Sequence, residues 1–84
     1  MTVIHSGVFS VIKSFPEQKD VIKHLIKNKD SFLTLCEDYR VCKEALAHWD
    51  LSDAAEAPAR SLEYQALLQE LEAEIMQNVN EFQK

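Results

Sequence analysis

Between Asp30 and Trp49 the chain reads DSFLTLCEDYRVCKEALAHW, with apolar residues recurring at spacings of three and four. Counted in heptads from Phe32, the first positions are Phe32, Tyr39 and Leu46, and the fourth positions are Leu35, Cys42 and Trp49. That spacing puts all six on one face of a helix. The charged residues Glu37, Arg40, Lys43 and Glu44 fall off the seam. Asp30 stands just ahead of the run, where a carboxylate can accept from an unsatisfied backbone N–H, so it is read as the N-cap. At about 1.5 Å per residue the helix is a rod roughly 30 Å long. Tyr39 and Trp49 are read as large core or rim residues, because aromatics at helical spacing mostly contribute packing.

A second seam runs from Ser61 toward the C-terminus through Tyr64, Leu68, Leu71, Ile75 and Phe82, with Asn78 where an apolar residue is due. Leu67, Met76 and Val79 widen that face. Asn78 either belongs to a frayed end or sets register as a buried polar group. Glu70, Glu72 and Glu74 form a solvated run. The break between the two seams is DLSDAAEA, Asp50 to Ala57, whose short polar side chains favour local bonds to the backbone over helix interior. Asp53 with Glu56 fits a capping box and Pro58 suits a first helical turn, so the last helix begins between Ser52 and Ser61. Two amphipathic helices joined by a short connection pack as an antiparallel hairpin, here 30–49 against 61–82.

Upstream, Ser14 and Glu17 bracket Phe15-Pro16 in another capping-box pattern, and a short helix is expected over 15–27. Its apolar residues are Val21, Ile22, Leu25 and Ile26, and Lys19, Lys23 and Lys27 form a row four apart. Residues 1–14 are apolar at Val3, Ile4, Val8, Phe9, Val11 and Ile12 but broken by His5, Ser6, Gly7 and Ser10. Two readings stay open for them. Ile4, Val8, Val11, Ile12 and Phe15 make a helical stripe that caps the core, or the stretch is an arm that orders on a partner. The stripe is preferred, although Gly7 and the β-branched residues lower its propensity.

Composition narrows the class. One Gly and two Pro among 84 residues leave too few turn residues for a β-rich fold, and the chain is rich in good helix formers. An all-α fold in a single small domain, 1–84, follows, with the modest core that so short a chain can bury. Two Cys are too few for a disulfide scaffold. The net charge of −5 is unevenly spread: residues 1–29 hold five lysines against two acids, while residues 30–84 hold twelve acids against four bases. An acidic body is a poor match for phosphate backbones, so nucleic acid is not an expected partner. The basic segment suits an acidic surface, another copy's acidic helices included. The first lysine follows the apolar residues instead of preceding them, so no signal peptide is read. The stretch is also too short and too polar for stable membrane insertion.

The order of signals resembles a known family. FPEQKDVIKHL, then Lys29-Asp30-Ser31-Phe32 leading into LCEDY, then a polar connection and LLQELEAEI, is similar to the YdcH-like proteins, small bacterial proteins of unassigned function. The similarity covers roughly Phe15 to Val79. Its more specific part is the Phe15-Pro16-Glu17 start followed by a helix with Phe and Leu three apart. It implies an α-helical hairpin in a bacterial cytoplasm and brings no catalytic residues. This chain departs in its apolar N-terminal arm, its two Cys and its longer middle connection.

Candidate chemistry is sparse. Cys36 and Cys42 are six apart on one helix, which turns them roughly 120° from one another, too far to share a bond or a metal. Cys42 lies on the seam as a small core hydrophobe, whereas Cys36, off the seam, is the better candidate for an exposed thiol. His24 follows Asp20 by four and His48 follows Glu44 by four, so each pair shares a helix face. Two ligands per chain make a metal half-site at most. A single Gly rules out a Gly-rich phosphate loop. No cofactor or metal is expected, and an enzyme is not.

The reading that remains is an interaction module. Apolar residues beyond the seams need a further covering surface, and Leu33, Val41, Leu67 and Met76 are the candidates to meet it. The partner is expected to be a second copy, two hairpins making a four-helix bundle, or an unidentified protein. A metal- or redox-responsive regulator built on Cys36, His24 or His48 is the alternative. A peripheral membrane binder using Val8, Phe9, Ile12 and the lysine row is a third.

Overall fold

The computed structural model describes residues 6–83, which are all-helical, with no strand among them. The described helices are α1 (Ser6–Ser14), α2 (Lys19–Asn28), α3 (Asp30–Asp50) and α4 (Ala57–Phe82), and a single 3₁₀ turn, Pro16–Gln18, leads into α2.

The long helix α3 is the axis. It packs most extensively on α4 and next on α1, while α2 lies more lightly against α3 and α4. The Ser61 hydroxyl donates to Asp50 Oδ1 at 2.8 Å, the Cys42 thiol to the Tyr64 carbonyl at 3.4 Å, and Lys29 Nζ to Asn78 Oδ1 at 2.8 Å. Together these bonds tie α4 to α3 and to the residue that precedes α3. The buried core collects Phe32, Leu35, Cys36 and Tyr39 of α3, Ile75 and Val79 of α4, Ile22 and Leu25 of α2, and Val11 of α1. Seam positions Phe32, Leu35, Tyr39 and Cys42 are therefore buried, as their spacing predicts. Leu46 and Trp49 are half-buried, and neither belongs to the core cluster that α1 and α2 help to build.

The helix ends differ from the sequence expectation. Ser14 does not cap the following turn: it ends α1, Phe15 takes the cap position, and no side chain caps the turn. The Ser14 hydroxyl faces Tyr39 and Lys43 instead, a tertiary role that outweighs the local one. Asp30 is the first residue of α3, not its cap, and no side chain caps that helix. The Asp53–Glu56 box does not form either; Glu56 is the cap residue of α4 and makes no side-chain cap bond. The connection closes on Ser52, whose Oγ accepts from the Ala54 N–H at 3.1 Å, and Pro58 sits in the first turn of α4. That helix begins at Ala57, four residues ahead of Ser61.

Residues 6–14 take the helical reading, and Gly7 explains how α1 docks. A Cβ at Gly7 would lie 2.8 Å from both the carbonyl carbon and the oxygen of Cys36, so the α1 backbone rests directly on that of α3. The Gly7 N–H donates to Glu37 Oε1 at 2.9 Å. The expected stripe position Ile4 lies outside the described residues.

Candidate functional site

Cys36 corrects the sequence reading. It is fully buried, 0% exposed, because α1 covers the flank of α3 that a two-helix seam leaves open. Burial pushes its thiol up to about 12, and the neighbouring Glu37 carboxylate adds to the effect. A group that holds its proton so firmly is a packing element, not a reactive thiol. Cys42 is also buried, with its thiol raised by burial first and by Glu72 second.

His24 and His48 each pack against a ring. His24 stacks on Phe82, with centroids 5.7 Å apart and planes 20° apart, and His48 meets the adjacent Trp49 edge-on at 5.1 Å. Among the described residues no three His, Cys, Asp or Glu side chains gather as a metal site would require. No helix among them is long and apolar enough to cross a membrane. Val8 and Ile12 pack against the core and Phe9 points outward, so the three do not form one apolar face.

Tyr39 sits in a polar network that spans three helices. Its hydroxyl lies 3.0 Å from Ser14 Oγ and 3.3 Å from Glu72 Oε2, and Lys43 Nζ donates to the same Ser14 oxygen at 3.2 Å. One phenolic proton cannot serve both acceptors at once, so Ser14 or Tyr39 alternates as donor. Burial raises the Tyr39 phenol above its ordinary range, and Glu72 acts in the same direction against the Ser14 hydrogen bond. The network ties the end of α1 to the middles of α3 and α4. It joins three helices through Ser14, Tyr39 and Glu72. Asn78 is likewise occupied within the chain: Lys29 donates to its oxygen, and its amide donates to the Glu74 carbonyl at 2.8 Å.

The exposed apolar surface comes next. Val41 is 53% exposed and Leu67 is 43% exposed, and the two line one shallow groove of about 260 Å³ between α3 and α4. Cys42, Tyr64 and Leu71 form the rest of its apolar lining, and Asp38 stands at its edge. Met76 does not join them. It lines a separate recess with Phe15, Pro16 and Gln18, nine residues from Leu67 and so on the opposite flank of α4. Leu33 is half-buried on α3 and lies outside this groove. The structure thus brings two of the four candidate contact residues together and separates the others. Sequence reasoning missed Asp38 and Tyr64 as groove residues, although Asp38 precedes Val41 by three and Tyr64 precedes Leu67 by three, spacings that share a helix face.

Across known proteins, no family model, curated protein or solved structure matches this chain.

Proposed function

We propose that this protein is a non-enzymatic helical interaction module that covers the Val41–Leu67 groove by self-association. The observation that carries the reading is the convergence of two exposed, non-adjacent hydrophobes on one apolar groove built by the two longest helices. Scattered exposed hydrophobes are ordinary, whereas a shared apolar groove has a reason to be covered. In this reading α3 and α4 form a helical hairpin, and the resemblance to the YdcH-like proteins of the bacterial cytoplasm points to the same class.

The test is Leu67→Glu. A charge placed in the groove should lower the molar mass seen by light scattering at a given concentration, while far-UV circular dichroism keeps its helical signal. A wild-type chain that stays monomeric into the high micromolar range, or a mass indifferent to Leu67→Glu, overturns the reading.

A further inference from the structure

Two exposed apolar surfaces of this chain carry opposite charge. The first is the Val41–Leu67 groove, and its surroundings are acidic. Asp38 lines it. Glu63, Glu70 and Glu74 lie four before, three after and seven after Leu67, which places them on the same flank of α4. All four carboxylates are exposed. Among the described residues only Glu63 is in an ion pair, with Arg60 at 3.2 Å. The second surface is the outer side of α1. Phe9 there is 57% exposed, with Lys13 Nζ 5.6 Å from its ring centroid. Three bases, Lys13, Arg40 and Lys43, line the recess beside it with one acid, Glu44, and Ala47. Arg40 is held by Glu37 and Glu44, and Lys13 and Lys43 are in no ion pair among the described residues.

The two surfaces face apart. On α3, Arg40, Lys43 and Ala47 share one side and Asp38 and Val41 another, and the helical repeat sets these sides roughly opposite. Pairing groove with groove would bring Asp38, Glu63, Glu70 and Glu74 of each copy against their equivalents, and like charge across an interface disfavours it. Pairing the groove with the α1 face avoids this: an exposed aromatic meets an exposed aliphatic groove, and lysines that are in no ion pair among the described residues meet exposed carboxylates.

We infer that the groove is occupied by the outer face of α1 from a second copy of this chain, Phe9 seating on Val41 and Leu67 with Lys13 beside Asp38. This rests on the self-association proposed above and names its partner surface. Because donor and acceptor surfaces lie on opposite sides, the contact is head-to-tail. Each bound pair still has one groove and one Phe9 open, so the assembly extends into a ring or a filament instead of stopping at two copies.

The experiment is a mixing test on the full chain at low salt, followed by light scattering and sedimentation velocity. Wild type should grow beyond dimer as concentration rises, and 0.5 M salt should reduce that growth, because exposed charges are screened within a few ångströms there. Leu67→Glu alone and Phe9→Ser alone should each be monomeric. Their equimolar mixture should give a dimer and nothing larger, since one copy supplies an intact Phe9 and the other an intact groove. Both positions are exposed, so circular dichroism should show unchanged helicity. A second route avoids the apolar residues: Lys13→Glu should weaken association at least tenfold, and adding Asp38→Lys to the same chain should recover part of it. Association lost in Leu67→Glu but untouched by Phe9→Ser and Lys13→Glu overturns this inference and leaves self-association standing. A mixture that stays monomeric overturns it as well. A wild-type chain monomeric throughout overturns both.

Discussion

Gly7→Ala is the sharpest probe of the fold. Alanine is the better helix former by about 1 kcal/mol, so an α1 that merely lay near α3 would be stabilised by the change. The packing says otherwise. The new methyl would meet Glu37 Oε1 at 2.6 Å and the Cys36 backbone at 2.8 Å. A carboxylate can swing aside, at the cost of its bond to the Gly7 N–H, but the Cys36 carbonyl is fixed inside a continuous helix. To reach ordinary contact α1 must withdraw by about 0.6 Å, and a gap of that size forfeits a quarter to a half of the dispersion attraction along the interface. Overpacking of this kind costs about 1–3 kcal/mol and the lost Glu37 bond about 1 kcal/mol more, so the net loss after the propensity gain is about 1–3 kcal/mol. For a domain this small that lowers Tm by roughly 5–20 °C. The assay is thermal unfolding followed by circular dichroism at 222 nm, with urea unfolding as a cross-check. Glu37→Ala with Gly7→Ala should not rescue the loss, because the clash with the Cys36 backbone remains. A Gly7→Ala variant as stable as wild type or more so would refute the close approach of α1 to α3.

Three further outcomes follow from the same structure. Tyr39→Phe removes the hydroxyl that joins Ser14 and Glu72 and should cost about 1–2 kcal/mol in urea unfolding with little change in helicity; a neutral substitution would mean the network contributes nothing. Cys36 ionises at about 12 in the folded chain against 9.0 for an ordinary thiol. The unfolded chain therefore gives up this proton first, so the stability it represents is intact below pH 9 and falls as pH rises toward 12, by about 1.4 kcal/mol at pH 10. Unfolding free energies measured from pH 7 to 10.5 should fall in this sense, and Cys36→Ala should flatten the slope whatever its effect on absolute stability; an unchanged slope would contradict the assignment. Ellman's reagent at pH 8 should label neither cysteine at the rate of a free thiol until denaturant is added, and prompt labelling of Cys36 would show that α1 does not cover it.

Much of the fold was legible because α3 and α4 carry their pattern openly. Phe32, Leu35, Tyr39 and Cys42 sit where heptad counting puts them, and Ile75 does the same on α4. Cys36 was misread for a definable reason. Heptad counting assumes one partner helix, but α3 has more, and its buried arc is widened by α1 to include a residue four after Phe32. Gly7 was read as a weakness in a helix, since local propensity sees only the missing side chain and not the backbone brought against it. The caps failed in the same way: Ser14 could serve the turn after it or the tyrosine across from it, and only the packed helices decide. Phe82, placed on the α4 seam by spacing, is 45% exposed, while Val79, one turn earlier, is fully buried. Of the contact residues, Val41 and Leu67 could be paired only once the register of α4 on α3 was known.

The contacts that hold α1 have a consequence for how the chain is made. Gly7 with Glu37, Ser14 with Tyr39 and Lys43, and Phe15 with Tyr39 all join residues of α1 and the turn after it to α3. Ribosomes deliver the N-terminal part first, at about 5–20 residues per second, so α4 follows α3 by a delay on the order of seconds. During that interval α1 can already shield one side of α3, while Tyr39 and Phe32 still wait for Glu72, Ile75 and Val79. The nascent chain thus emerges with one flank of α3 wrapped and the other bare, the state in which a chaperone would find it.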